Sequence, residues 1–229
     1  VVRPGRLPLS FAQRRLWFLD QLEGASATYN IPLVLGISGA LDAGALGEAV
    51  ADVVGRHESL RTVFPAVDGV PEQQILDSAE ARAVWGVVDA AGWSPRELDE
   101  EAAAVVRHEF DLAAEVPFRA RLFTVSATEH RLALAVHHIA GDGSSLAPLV
   151  RDLLTAYRAR CAGAAPSWVP LPVQYADYAL WQHRALGDEA DEDSVLARQM
   201  RYWEHQLRGF EGLLELPTDR PHPVVAGHH

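Results

Sequence analysis

The strongest constraint on the fold is a pair of apolar segments joined by a short polar turn. "FRARLFTVS" begins at Phe118 and "HRLALAVHHI" ends at Ile139, with "ATEH" linking them. Both read as strands, and so short a link makes them a hairpin. Helical segments lie on both sides in sequence. Ser10 caps "FAQRRLWFLDQL", where Leu16, Leu19 and Leu22 recur at helical spacing. Asp42 caps "AGALGEAVADVVGRHESL", with Leu46, Val50, Val53 and Val54 on one face. Ser94 caps a third helix with Pro95 at its first position and acids in its first turns. "SSLAPLVRDLLTAYRAR" places Leu146, Leu149, Leu153 and Tyr157 on one side. "VQYADYALWQHRAL" and "DEDSVLARQMRYWEHQLRGF" add two more, the acids of "GDEADED" reading as a solvated helix start.

Further strands are expected at Ile31–Ile37, "LRTVF", "EQQIL" and "VWGVVD". "EQQIL" follows the Asp-Gly turn of "PAVDGVP" as a hairpin partner. Hairpins mixed with helices predict an α+β fold, a mixed β-sheet covered by helices. "AGAAPSWVPLP" is a Pro-rich connection, and the chain divides around it into 1–165 and 166–229. The last stretch, "LPTDRPHPVVAGHH", is irregular and reads as a connection.

Composition narrows the function. The 229 residues suit one large domain or two small ones, and 48% apolar content supports a core. No apolar run approaches the ~18 residues of a membrane span. Val1–Arg6 leads into a capped helix and not an apolar signal region. The single cysteine, Cys161, forms no internal disulfide or Cys-rich metal site. A cytoplasmic protein is therefore expected. The net charge of −11 argues against nucleic acid as a partner. All 20 basic residues are arginine, which excludes a phosphate-loop lysine, a Schiff-base lysine and a Ser–Lys dyad. There is no G-x-S-x-G elbow to supply a nucleophilic serine. The terminal "GHH" is assigned no function.

The chemistry concentrates at the end of the second hairpin strand, in "HHIAGDGSS" (His137–Ser145). Strand side chains alternate between faces. His138 shares a face with Leu132, Leu134 and Val136, and His137 shares one with Ala133 and Ala135. Asp142 follows in a Gly-Asp-Gly turn, where glycine allows positive φ and close backbone approach. A plain structural reading is available: Asp142 caps the next helix and His137 is a hydrogen-bonded core residue. Metal binding is not expected, since adjacent strand histidines splay apart and no third ligand is near. Arg56 and His57 suit a helix C-terminus as cations, and Tyr175, Tyr178 and Trp181 have the spacing of core residues.

"HHIAGDG" (His137–Gly143) resembles the HHxxxDG motif of condensation domains of nonribosomal peptide synthetases. "LSFAQRRLWFL" (Leu9–Leu19), "RHESLRTVF" (Arg56–Phe64) and "YADYALWQ" (Tyr175–Gln182) resemble three more motifs of that family, in its order. The resemblance covers essentially the whole chain. It implies a chloramphenicol acetyltransferase-like lobe, the N-terminal one of two that form a V around a tunnel, plus the start of the crossing to the second. The implied reaction is amide-bond formation between a donor acyl or peptidyl thioester and an acceptor aminoacyl thioester. Both would arrive on phosphopantetheine arms of carrier proteins, with no cofactor or metal held by the lobe.

The resemblance makes His138 the catalytic residue. It would serve as general base on the amine, or orient it and stabilise the tetrahedral intermediate; both roles stay open, since an α-amine titrates near pH ~8. Asp142 is implied to be structural, paired with an arginine, for which Arg61 or a residue of the second lobe is a candidate. Gly143 would give backbone proximity to the tunnel, and His137 support. Ser144 departs from the apolar residue usual after the motif glycine, with looser local packing as the expected result. The lobe alone is expected to be inactive and to expose an apolar docking surface, through which it would self-associate; an adenylation domain is an expected neighbour. Two other functions share the resemblance. One is a non-catalytic module that recruits partner enzymes, against which the intact His137, His138 and Asp142 speak. The other is an epimerisation domain, against which "RHESLRTVF" speaks. "YNIP", the "RHESLRTVF" region and "HHIAGDG" look like domains taking a donor with a D-configured terminus.

Overall fold

The computed structural model describes residues 2–210 and 217–221. In chain order the elements are β1 (Leu7–Pro8), α1 (Phe11–Glu23), β2 (Asn30–Ser38), α2 (Ala43–Arg56), β3 (Thr62–Val63), β4 (Ala66–Val67), β5 (Val70–Ile75), β6 (Trp85–Asp89), α3 (Pro95–Val106), β7 (Phe118–Thr124), β8 (Glu129–His137), α4 (Leu146–Cys161), α5 (Tyr175–Leu186) and α6 (Val195–Gln206). The main sheet has the order β2-β8-β7-β6. β8 pairs antiparallel with both neighbours, and β6 runs parallel to β7. The sheet is thus mixed, and its two central strands are the sequence-predicted hairpin.

The pleat of β8 divides the core. Leu132, Leu134 and Val136 face one way and join Phe118, Ala120 and Leu122 of β7. The same cluster takes Leu46, Val50, Val53 and Val54 from α2 and Leu153 and Ala156 from α4. Ala133 faces the other way, with Phe123 of β7 and Leu98 and Ala102 of α3. Alanine at 133 and 135 leaves room there, and Ala135 packs with Phe64, Phe110 and Leu112. Helices therefore cover both faces, as an α+β layer architecture requires.

The caps follow the sequence. Ser10 and Ser94 each accept the N3 amide in a full capping box, closed by Gln13 and Glu97, and Asp42 accepts the Ala45 amide at 2.9 Å. Asp68 and Gly69 have φ of 55° and 77°, so both central positions of the β4–β5 turn are left-handed, as a two-residue hairpin of type I′ demands. β5 also pairs with β1 and β3 in a small second sheet. "LRTVF" differs from expectation. Glu58–Arg61 is a 3₁₀ turn and only Thr62–Val63 is strand. The Thr62 hydroxyl donates to the Glu58 carbonyl at 2.7 Å, which ties the segment to the preceding turn.

The chain forms two compact units, Val1–Leu180 and Trp181–His229. In the second, Ser194 caps α6 by accepting the Ala197 amide. The acids of "GDEADED" precede that cap, so they are not in the first helical turn. Most of the irregular tail, including "GHH", lies outside the described residues.

Leu122 is completely buried between α2 and the neighbouring strands. Leu122→Ala is expected to lower unfolding stability by roughly 2–5 kcal/mol, through lost transfer energy and a cavity. Urea denaturation reads this; a loss under about 1 kcal/mol would contradict the core assignment.

Candidate active site

The site begins where β8 ends. The His137 amide donates to the Pro117 carbonyl at 2.9 Å and the His138 amide to the Tyr29 carbonyl at 2.7 Å. These are the last rungs of the sheet. His137 is 3% exposed. Its Nδ1 accepts the Ile139 amide at 3.1 Å, and its ring meets Phe110 edge-on at 6.2 Å. Accepting at Nδ1 leaves the proton of the neutral ring on Nε2. Burial, followed by the neighbouring His138 charge, pushes the His137 pKa down to about 4.

His138 stands one residue beyond the strand and is exposed. It lines a cleft of about 730 Å³. Apolar walls come from Leu16 of α1, Ile31 of β2, and Leu146 and Leu149 of α4. An imidazole in such a cleft can accept a proton, donate one, or fix an N–H or O–H group by hydrogen bonding.

Asp142 also lines the cleft and is exposed. Its Oδ1 accepts the Ser144 amide at 3.0 Å, the Ser144 hydroxyl at 2.7 Å, the Ser145 amide at 3.1 Å and the Ser145 hydroxyl at 2.8 Å. Hydrogen bonds from Ser144 and then Ser145 hold its pKa below the usual carboxylate value. Asp142 thus caps the 3₁₀ turn Gly143–Ser145 that leads into α4.

Arg61 does not reach Asp142. Its guanidinium donates to the Leu76 carbonyl and stands 4.0 Å from Glu58. Of the two candidate partners for Asp142, Arg61 is excluded, because β5, ending at Ile75, draws it to the small sheet; the other candidate belongs to the second lobe. Ser144 does not loosen the turn; its amide and hydroxyl both bind Asp142. Gly141 and Gly143 do not have positive φ, so the glycines are not required for a left-handed backbone. A Cβ on Gly143 would meet nothing within 4 Å.

The core reading of Tyr175 and Tyr178 is corrected: both line the cleft, their rings 5.4 Å apart, while Ala176, Ala179 and Leu180 form the buried face of α5. Trp181 is 61% exposed. The Tyr175 hydroxyl pairs with Ser10 Oγ at 3.0 Å, and burial raises its pKa.

His57 is another lining residue. Its Nε2 lies 2.9 Å from Asp152 Oδ2, which also accepts Arg56 Nε at 2.9 Å. Arg56 and His57 therefore serve a buried carboxylate and not only a helix terminus. Asp152 went unread in the sequence, although an acid three residues after Leu149 on an amphipathic helix was the available signal. Among the described residues no group of three or more His, Cys, Asp or Glu side chains could hold a metal ion, and no helix is long and apolar enough to cross a membrane.

The condensation domain family matches residues 4–227. The chain belongs to the condensation domain family. It is 55% identical over 224 residues to an isonitrile lipopeptide synthase of Mycobacterium tuberculosis, covering 98% of this chain and 9% of that protein. It is 53% identical over 226 residues to a dimodular nonribosomal peptide synthase of Bacillus subtilis, covering 99% of this chain and 9% of the relative. The X-domain from teicoplanin biosynthesis, solved in complex with OxyB, superposes with a TM-score of 0.87 at 38% identity, over 98% of this chain and 48% of that one. The starter condensation domain of rhizomide synthetase shares the fold, with a TM-score of 0.73 at 21% identity, over 91% of this chain and 49% of that one. This condensation-domain chain thus spans about half of those solved chains and a small part of the synthetases.

His137 makes stability pH-dependent. Above pH 6.5 the ring is neutral whether the chain is folded or unfolded. Between pH 6.5 and about 4 the unfolded chain takes up a proton that the buried ring refuses. Stability is expected to fall by roughly 3 kcal/mol across this window from His137 alone. His137→Asn, which keeps an acceptor for the Ile139 amide, should flatten that slope in urea titrations. An unchanged slope would contradict the buried neutral imidazole.

Proposed function

We propose that this chain supplies one half of a peptide-bond-forming site in nonribosomal peptide synthesis, the N-terminal lobe with its division at 165/166. The observation that carries this reading is His138, presented by the end of β8 into a cleft with apolar walls, within a family-matched motif. The acceptor amine nitrogen attacks the donor thioester carbonyl; a C–N bond forms, the C–S bond breaks, and the thiol leaves with the proton the amine gives up. His138 receives that proton or holds the amine in line and stabilises the charged intermediate. His137 serves by fixing the strand end and Asp142 by fixing the turn, while Gly143, with open space beside its Cα, gives a substrate close approach to the backbone. Arg61 supports the small sheet.

Donor and acceptor carrier proteins present the two thioesters on phosphopantetheine arms, and this lobe holds no cofactor of its own. The cleft is open in this chain, and the second lobe completes the tunnel, so this chain alone is inactive. Exposed Phe18 and Leu22 on α1 suit docking of that lobe or self-association in its absence. An adenylation domain follows in the parent protein, and the donor terminus is D-configured. A second reading is a module that binds a partner enzyme. It draws on the likeness to the X-domain, which was solved with OxyB. The complete set of His137, His138 and Asp142 favours the catalytic reading.

His138→Ala in a complete domain carrying this lobe is expected to lower amide formation about 100-fold or more, as loss of a general base or positioning imidazole does. Mass spectrometry of the carrier-bound product reads it, with D- and L-terminated donors compared. An unchanged rate would sink both roles of His138, and equal use of the donors would remove the D-preference.

A further inference from the structure

The polar groups around the cleft are mostly consumed within the protein. Gln174 accepts the Glu58 amide through Oε1 and donates to the Arg56 carbonyl through Nε2. Gln13 accepts the Ser10 amide and donates toward Gln73 and the Ile139 carbonyl. The Tyr175 hydroxyl is held by Ser10, and Asp142 Oδ1 by its two serines. Such groups shape the wall and have little left to offer a ligand.

His57 is different. It closes α2 as its C-cap and lines the cleft. Its Nε2 faces Asp152, whose side chain is 6% exposed. Burial pushes the Asp152 pKa up, but hydrogen bonds from His57, Arg56 and Arg151 outweigh it and keep the carboxyl below its ordinary value. An ionised carboxylate only accepts, so His57 Nε2 is the donor. In the neutral form of the ring the lone pair is then on Nδ1, and no described residue hydrogen-bonds to that atom. The ring cannot swing freely. Asp152 is itself clamped by Arg56 Nε at 2.9 Å and Arg151 Nε at 3.2 Å, and Arg56 stacks over Trp168 at 4.9 Å. A buried, multiply bonded carboxylate thus fixes the tautomer and the direction of an imidazole that borders the cleft.

We propose that His57 is a second substrate-contacting imidazole of this site, its Nδ1 accepting a hydrogen bond from an N–H group of the bound aminoacyl thioester. Asp152 is its positioning residue. The inference rests on the peptide-bond-forming reading, and it divides the work: His138 acts at the reacting amine, while His57 sets how the acceptor lies. The N–H group is either the α-amine or an amide of the pantetheine arm, and the same acceptor chemistry serves both.

The test uses the full-length parent protein and a stable aminoacyl-pantetheine ketone, in which a methylene group replaces the thioester sulfur and no N–H is added. His57→Gln keeps an amide donor near the Nε2 position for Asp152 and removes the Nδ1 acceptor. Calorimetric Kd for the analogue is expected to rise roughly five- to tenfold, the effect of one lost neutral hydrogen bond, with an unchanged melting temperature. In turnover assays KM for the acceptor should rise by the same factor while kcat holds. A deaminated analogue separates the sources: a loss seen only with the amine-bearing probe assigns the α-amine, and an equal loss with both assigns the arm amide. Should the variant fold poorly, the ¹⁵N shift of Nδ1 in labelled unsubstituted protein supplies the answer, since it must move on saturation. Unchanged Kd, or an unmoved Nδ1 shift, overturns the proposal while amide formation by the unsubstituted protein leaves the functional reading standing. Absence of amide product from unsubstituted protein with both carrier-bound substrates overturns that reading, and this proposal with it.

Discussion

The hydrogen bond from the Ile139 amide to Nδ1 of His137 holds the site to the sheet. β8 must stop somewhere, and it stops at a residue whose side chain can close the turn that its own backbone opens. The burial that makes this bond dry also keeps the ring neutral. A charged ring at this position would lose the lone pair that accepts the amide. One local bond therefore sets where the strand ends, where His138 emerges and where the Asp142 turn begins.

The two sides of β8 explain why that point lies at a cleft. Leu132, Leu134 and Val136 carry α2 and α4 on one face, and small residues at 133 and 135 let Phe64, Phe110 and Phe123 close the other. α4 starts directly after the turn, with Leu146 and Leu149 as cleft walls. α2 delivers His57 at its C-terminus. The acid needed to hold His57 comes from α4, about a hundred residues away in sequence, because α2 and α4 share one core cluster. The reading of an active site thus depends on ordinary packing: a sheet face that needs two helices brings their ends together.

Much of this was legible in the sequence where local chemistry decides. The caps at Ser10, Asp42 and Ser94, the Asp68-Gly69 hairpin and the central β7–β8 pair all carry their reasons within a few residues. So did the opposed orientation of His137 and His138, which follows from the pleat. Parts set by distant partners were not legible. The parallel pairing of β6 with β7 has no local signature. "LRTVF" has strand composition, yet Arg61 and Thr62 are recruited by Leu76 and Glu58 into a turn and a two-residue strand. Arg61 reads as a candidate partner for Asp142, but Leu76 holds Arg61, and Asp142 Oδ1 accepts from the adjacent Ser144 and Ser145. Tyr175 and Tyr178 have core spacing, and only the small buried residues beside them show that α5 packs through another face.

The central claim is that the end of β8 separates two adjacent histidines into a buried, neutral support and an open, working group. Residue-resolved exchange of imidazole C2 hydrogens, read by mass spectrometry on this chain near neutral pH, tests it most directly. The account predicts that His138 exchanges at a rate close to that of an exposed histidine while His137 is strongly protected in the same molecule. Equal exchange at the two positions, or protection of His138 and exchange of His137, would contradict it.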